Sequence, residues 1–564
     1  MTGENVTAKR DGSPVWTGLL PLCFAAVLAL FALAGALQSD RPLWQDESAV
    51  LVNLGLDWSV YFGPLPYYDQ AGPPLALIVQ DMFLRLAGGD VRIMRLASLA
   101  LTCVVFGLVG LAAARRRDAV MLGGLTLLMT APETLRYAIE LKHYGFELLA
   151  ALLLLHAAAT LDPGRRAAAG GMLALALALS FFSFSAMFVA AVLMLDIALF
   201  RAPRGARLAW LGALGAFTAA WGALYVLLFK PATHFQFVNY PQAYAENTLL
   251  ARVGEGPGAV FETLALAFEP AFFPVALGVG LLGLAIAAAL RGRLPGGLSL
   301  RAGVGGGALS PLRVALALVL GLIALSALGL YPLFSSRQLL FTHPLKALAA
   351  AAIFVMVAGL ARSWRPAWAL VAVAVAVMVL PDVKRTEFQT RSGRYVFQDS
   401  AGLYAHLQRD PETPVIAGPL FAPSLRYYQA QGEGPRLTEL GALPPESREA
   451  RPAPEVLAAL RDGDLASLGQ RIWLPLRDPE VWRVYADLVV RLARESGGAV
   501  FAAAQAEDWW DKTLAEAAAD AGCATAIEFE FRKARAFDIS CPSPTDGAAP
   551  TDGNAPTDGN ATTE

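Results

Sequence analysis

Charge and reactive side chains are scarce in this chain. Only 16% of its 564 residues are charged, and 45 Lys and Arg against 47 Asp and Glu leave a formal net charge of −2. That balance offers no basic surface for nucleic acid, and no stretch pairs clustered Lys or Arg with interleaved aromatics as a nucleic-acid groove would. The five histidines are scattered without a His-x-x-x-His pair, and the four cysteines match no zinc spacing. No serine or cysteine stands with a base and an orienting acid in a recognisable triad, so a covalent nucleophile is not expected.

Long apolar runs are what the chain has in quantity. With 56% hydrophobic residues and a mean hydropathy of +0.48, it exceeds the apolar content of soluble globular proteins and reads as an integral membrane protein. Runs of roughly 17 to 25 residues, enough to cross a bilayer, recur from Val15 to about Leu380. Counting by length gives about eleven crossings, with Leu173 to Phe200 either one broken span or a tight hairpin. Lys9 and Arg10, Arg115 to Arg117, Arg165 and Arg166, Arg201, Arg204 and Arg207, Arg291, Arg293 and Arg301, and Arg362 with Arg365 fall in alternate short loops, which the positive-inside rule makes cytoplasmic. The intervening connections, with Asp46, Glu140, Lys230 to Glu262 and Ser335 to His343, then face outward. A cleaved signal peptide competes for the first run, since Lys9 and Arg10 precede it and Ala34-Gly35-Ala36 is a small-residue site. The run exceeds the roughly 7–15 residues of a signal h-region, which favours an uncleaved anchor.

The fold class expected is a polytopic α-helical membrane protein with a C-terminal soluble α/β domain. Residues 1–14 form a cytoplasmic N-terminus, 15–381 the membrane domain with its first outward loop at 39–95, 382–541 the soluble domain and 542–564 a disordered tail repeating Pro-Thr-Asp-Gly. Beyond Pro381, β-like runs (Pro414 to Ala417, Arg471 to Leu476, Ala499 to Ala502, Ala526 to Phe531) alternate with helical patterns such as Val481 to Glu495. The odd crossing count puts this domain outside the cytoplasm. Cys23 and Cys103 lie in apolar spans, where a thiol behaves as a small hydrophobe. Cys523 and Cys541 are expected to form a disulfide, which that compartment permits.

Asp46 and Glu47 stand just beyond the first apolar run. Leu54, Leu56 and Trp58, then Pro73 to Leu77 leading to Met82 and Leu86, suggest two amphipathic segments lying in the interface and framing a site at the membrane surface. Asp46 can be a catalytic base, taking a proton from a group within hydrogen-bond reach, or it can cap the helix that follows. The runs Leu43-Trp44-Gln45-Asp46-Glu47-Ser48-Ala49, Pro64-Leu65-Pro66-Tyr67-Tyr68-Asp69-Gln70-Ala71-Gly72-Pro73-Pro74-Leu75 and Arg95-Leu96-Ala97-Ser98-Leu99 resemble the first extracytoplasmic loop of family 39-like C-type glycosyltransferases, the protein O-mannosyltransferase and aminoarabinose transferase group. The resemblance implies a polyprenyl-phosphate-sugar-dependent enzyme that inverts the anomeric carbon in one displacement as an acceptor attacks it; it makes Asp46, the first acid of the pair, the catalytic base, with Glu47 and Glu140 as further catalytic candidates. Tyr67, Tyr68 and Gln70 become candidates for sugar or acceptor binding. Asp46, Glu47 and Glu140 have the oxygens for a hard divalent ion, but such enzymes do not generally require one, so no metal and no cofactor are expected.

Two later loops extend the resemblance. In Pro132-Glu133-Thr134-Leu135-Arg136-Tyr137-Ala138-Ile139-Glu140-Leu141-Lys142-His143-Tyr144, helical spacing sets Arg136, Glu140 and His143 or Tyr144 on one face. The run is similar to the family's second loop, with Lys142-His143-Tyr144 in place of its Arg-Pro-Tyr ending. Glu140 is assigned to orienting a substrate, Lys142 and Arg136 to the donor phosphate, and His143 and Tyr144 to the sugar or acceptor. The competing reading is an Arg136–Glu140 pair on a solvated face. Arg337, in Ser335-Ser336-Arg337-Gln338-Leu339-Leu340-Phe341-Thr342-His343-Pro344, is the candidate that neutralises a departing phosphate, or it snorkels to the interface. Lys230, His234 and Lys346 are weaker candidates of the same kind.

The partners expected are a polyprenyl-phosphate sugar, a lipid, glycan or protein acceptor and the bilayer, with no nucleic acid. High Ala, Gly and Arg content points to a bacterium, and hence to an inner membrane with the site on the periplasmic side. A transporter or lipid flippase is the alternative. Such proteins place ionisable residues near the midplane and show internal repeats, whereas here the acids gather at one surface and no half is repeated.

Overall fold

The structure is a computed structural model that describes residues 14–67, 70–233, 244–289, 310–334, 337–360, 399–410, 413–417, 421–429, 437–438, 479–504, 508–531 and 534–542. The chain divides into two compact units, Met1–Phe397 with Arg448–Ala450, and Gln398–Ser447 with Arg451–Glu564. The division falls beyond the Pro381 boundary expected from hydropathy.

In chain order the helices of the first unit are α1 (Pro14–Gln38), α2 (Gln45–Leu51), α3 (Pro74–Leu86), α4 (Val91–Arg116), α5 (Ala119–Thr130), α6 (Pro132–Ile139), α7 (Tyr144–Thr160), α8 (Arg166–Ser180), α9 (Ala186–Asp196), α10 (Arg204–Leu224), α11 (Leu249–Arg252), α12 (Pro257–Phe268), α13 (Phe272–Ala289), α14 (Ser310–Ala327) and α15 (His343–Leu360). Among the described residues five helices are long and apolar enough to cross a membrane, built on α1, α4, α10, α14 and α15, and α12 with α13, bent by 87°, make a sixth candidate. The chain is thus a polytopic α-helical membrane protein. The eleven crossings counted from hydropathy include shorter apolar helices, among them α5, α7 and α8. The 17 residues of α7 reach only about 25 Å at 1.5 Å per residue. The apolar run ending near Leu380 lies outside the described residues. Leu173 to Phe200 resolves as a hairpin of α8 and α9, with Ser183 Oγ accepting from the Ala186 amide at 3.0 Å in the turn between them.

α15 runs through the middle of this unit, buried along most of its length and packed on α5, α7, α13 and α14. Its run of alanines and two glycines of α5 allow the backbones to approach closely. A Cβ on Gly124 would stand 3.0 Å from the Leu348 Cα. α3 is amphipathic as expected, turning Ala76, Leu77, Gln80 and Asp81 inward and leaving Met82 and Leu86 exposed.

The second unit holds α16 (Ser400–Leu407), β1 (Val415–Ala417), α17 (Ala422–Gln429), β2 (Leu437–Thr438), α18 (Pro479–Glu495), β3 (Ala499–Ala504), α19 (Asp508–Asp520), β4 (Ala524–Phe531) and β5 (Ala534–Ser540). The strands form one sheet in the order β2-β1-β3-β5-β4. β1 is parallel to β2 and β3, while β5 is antiparallel to β3 and β4. α18 buries Tyr485, Leu488, Val489 and Ala493 at helical spacing over Phe501, Phe537 and Ile539 of the sheet. β2 and β5 were not expected; the alternation of β5 is disguised by Arg535, whose buried guanidinium is held by Asp511 at 2.6 and 2.8 Å and by Glu530 at 2.6 Å. The expected strand Arg471 to Leu476 lies outside the described residues. Ala524 pairs with Ser540 in the β4–β5 ladder, so the next residues out, Cys523 and Cys541, stand opposite each other and their sulfurs are bonded.

Candidate active site

α1 ends at Gln38, and the chain runs on to Trp44, whose extended backbone makes it the N-cap of α2. Glu47, three residues on, accepts from the Trp44 amide at 3.5 Å, as the acid of a capping box does. Asp46 therefore lies inside the first turn and does not cap it. Its Oδ2 stands 3.0 Å from Arg337 Nη1 and 3.3 Å from Lys142 Nζ, with a fifth of the side chain exposed.

Glu47 faces away from this opening and is fully buried. It takes Arg95 Nη2 at 2.7 Å, Arg41 Nη2 at 3.3 Å and the Leu141 amide at 3.1 Å. Arg95, on the first turn of α4, is itself wholly buried. It also donates to the carbonyls of Ser39 at 3.2 Å, Arg41 and Pro42 at 3.4 Å. One guanidinium with five donors thus gathers the carbonyls released where α1 ends and fixes the turn that delivers Asp46.

The second loop departs from the single helical face expected of it. α6 stops at Ile139, and Glu140 is extended, with φ −76° and ψ 131°. The cause is long-range: the Leu141 amide is claimed by the Glu47 carboxylate, so the helix cannot continue through it. α7 restarts at Tyr144, and only glycine fits the corner, because a Cβ on Gly145 would lie 2.6 Å from the Tyr137 carbonyl oxygen. Breaking the helix here sends Lys142 towards Asp46 and to Gln70 Oε1 at 3.0 Å. Glu140 takes Arg136 Nε at 3.0 Å and lies 4.0 Å from Arg41 Nη2. That pair forms, but Glu140 is buried, so the face is not a solvated one.

Electrostatics separate the three acids. Burial alone would raise the Asp46 carboxyl, but Lys142 and Arg337 outweigh it and hold the group below the usual carboxylate range. Burial is likewise overcome at Glu47 by Arg95 and Arg41. At Glu140 burial wins over Arg136, helped by repulsion from Glu47, and the carboxyl is pushed up. His143 is driven down to about 3 by burial and by Lys142 and Arg337, which keeps its ring neutral. Among the described residues five cations (Arg41, Arg95, Arg136, Lys142 and Arg337) meet three carboxylates in this ion-pair network.

Of the other residues singled out in sequence, Tyr144 places its ring 6.0 Å from the Arg337 guanidinium carbon. The Tyr67 backbone is bracketed by Asn53, which accepts from its amide and donates to its carbonyl, both at 2.9 Å. Tyr68 and His234 lie outside the described residues. Lys230 is exposed. Lys346 does not join the network; it is buried and donates to the Glu269 carbonyl at 2.5 Å. Among the described residues no group of three or more His, Cys, Asp or Glu side chains could hold a metal. Arg41 and Arg95 were missed as site residues. Arg95 carried a signal, since an arginine on the first turn of an apolar helix is costly unless paired.

No protein-family model matches the sequence, and no curated protein does. Among solved structures the chain is similar to ArnT from Cupriavidus metallidurans bound to undecaprenyl phosphate, with a TM-score of 0.49 and 16% identity over 93% of this chain and 98% of that one. The apo state of the same ArnT aligns over the same shares with a TM-score of 0.37 and 13% identity.

Proposed function

We propose that this protein is an integral membrane glycosyltransferase of the family 39-like C type. It moves a sugar from a polyprenyl-phosphate donor to a lipid, glycan or protein acceptor on the extracytoplasmic side, which in a bacterium is the periplasmic face of the inner membrane. The observation that carries this reading is the Asp46 carboxylate held between Lys142 and Arg337.

In this reading the donor phosphate enters beside Asp46 and draws Lys142 and Arg337 onto its oxygens. Asp46 then loses part of its charge pairing and becomes a stronger base. The acceptor oxygen or nitrogen attacks the anomeric carbon and its proton passes to Asp46. The bond from that carbon to the phosphate oxygen breaks on the opposite side, and the phosphate leaves with the electron pair. Arg337 and Lys142 stabilise the charge that develops, and a single displacement inverts the carbon. Glu47, which touches no open space, holds the two loops in place.

The test incubates purified protein with labelled polyprenyl-phosphate sugars and a membrane extract, and measures released lipid phosphate alongside donor binding. Asp46→Asn is expected to bind donor and to lose turnover by roughly 10²–10⁴-fold. Equal turnover in both proteins removes Asp46 from the chemistry. No binding of any donor by the wild type removes the glycosyltransferase.

A further inference from the structure

Glu147 is the acid of this region that the mechanism leaves unused. It lies in the first turn of α7, a helix otherwise built from Leu, Ala and aromatic residues. Its side chain is 5% exposed. Asp46, Glu47 and Glu140 each face Arg or Lys, but among the described residues Glu147 has no Arg or Lys within 4.0 Å. Its neighbours are Ser185 Oγ at 3.4 Å and His143 Nε2 at 3.8 Å. A carboxyl has about four acceptor sites, and a buried one with two long contacts costs free energy that the fold alone does not return.

The surroundings have the character of a sugar site. The Tyr331 hydroxyl donates to the Gln338 carbonyl at 3.2 Å. Phe188 meets the Tyr331 ring edge-on at 5.3 Å, and Phe184 lies 6.4 Å from the His143 ring. His143, Phe184, Phe188 and Tyr331 each keep some exposure beside the buried carboxyl. This group adjoins the proposed phosphate position. His143 follows Lys142 in the chain, and the Tyr144 ring is 4.5 Å from the His143 ring on one side and 6.0 Å from Arg337 on the other.

We propose that Glu147, with Ser185, His143 and Tyr331, forms the subsite that binds the hydroxyl groups of the transferred sugar while Lys142 and Arg337 hold its phosphate. This rests on the glycosyltransferase reading above. Sugar hydroxyls donate to the Glu147 oxygens and to the hydroxyl oxygens of Ser185 and Tyr331, whose own protons go to Glu147 and to the Gln338 carbonyl. Among the described residues no Arg or Lys stands within 4.0 Å of this carboxyl to neutralise a second anionic group, so the polar part of the ligand next to the phosphate is neutral or basic.

The experiment compares binding of bare polyprenyl phosphate, polyprenyl-phosphate mannose and polyprenyl-phosphate arabinose to wild type, Glu147→Gln and Glu147→Leu. Wild type is expected to prefer at least one sugar-bearing lipid over the bare phosphate. Glu147→Leu is expected to bind that lipid about ten-fold or more weakly, as loss of one or two hydrogen bonds to a charged or polar partner predicts, with bare phosphate affinity unchanged within about two-fold. Glu147→Gln should retain part of the preference. A Leu variant that keeps the preference overturns the subsite, and so does one that weakens both lipids alike, which marks Glu147 as structural. Wild type that binds bare phosphate without preferring either sugar also overturns it. Wild type that binds none of the three defeats the glycosyltransferase reading itself.

Discussion

Lys142 Nζ lies between Gln70 Oε1 at 3.0 Å and Asp46 Oδ2 at 3.3 Å, so one residue of the second loop joins two separate stretches of the first. The contact exists because Glu47 takes the Leu141 amide and breaks the helix one residue before Lys142. Position and charge at Asp46 are thus set by its sequence neighbour acting across the fold.

Replacing Lys142 by Met should move the acid limb of the rate profile. Asp46 acts as a base only when ionised, and its folded pKa is depressed by Lys142 and Arg337 against burial. Activity is then retained on acidification until the pH falls through that lowered value. With one of the two cations gone, burial counts for more, the pKa rises and the limb shifts to higher pH. A profile of kcat/KM against pH checks this, with a fall of roughly 10²-fold on the plateau from the lost phosphate contact. A limb that stays in place means that Lys142 does not tune Asp46.

Glu140 should show the opposite sign. Its carboxyl is raised by burial, with Glu47 adding repulsion, so its contribution to stability is full below the ordinary Glu range and is lost as pH rises through the folded value. Glu140→Gln removes that dependence while keeping an acceptor for Arg136. Thermal melts should place the two proteins together near pH 4 and increasingly favour the variant as pH rises towards 8, a window set by the ordinary Glu value of about 4.3. A constant offset across this range contradicts the shift.

Much of this was legible in sequence because it is local. Hydropathy located the long helices, and the acid pair, the Lys142 loop and Arg337 stood out as charges beside apolar runs. What escaped notice depends on distant partners. Helical spacing put Arg136, Glu140 and His143 on one face, and nothing in positions 136–144 reveals that Glu47 will stop the helix. Trp44 caps α2 through its backbone alone, so residue preference pointed to Asp46. The short strand β2 and the arginine-bearing β5 gain their hydrogen bonds from neighbours that no local pattern identifies.

Arg95→Leu should destabilise the fold strongly. It would leave the buried Glu47 with Arg41 as its remaining cation and release the Ser39 and Pro42 carbonyls. Breaking a buried pair from one side costs about 3–5 kcal/mol, read as a lower denaturation midpoint in detergent. Removing both charges, as in Glu47→Met with Arg95→Met, should recover part of that loss. A double variant less stable than Arg95→Leu would show that Arg95 acts through packing and not through its charge.

Asp81 offers a test of how the first loop is held. Its buried carboxylate accepts from the Gly55 amide at 2.7 Å and Trp58 Nε1 at 2.6 Å, and pairs with Arg85 Nε at 2.8 Å. Gly55 has a φ of +84°, a turn that carries the chain back from α2 towards α3, and both donors come from that return. Asp81→Leu keeps the bulk and removes the acceptors, so the two donors must find water or stay unsatisfied at about 1–3 kcal/mol each. Hydrogen exchange over the peptide from Asn53 to Ser59 should accelerate by roughly 10- to 100-fold, while exchange in the central helix α15 stays as it was. If the loop exchanges no faster, the carboxylate is not what fastens it to α3, and the packing of the Trp58–Phe62 turn against the same helix becomes the support to examine.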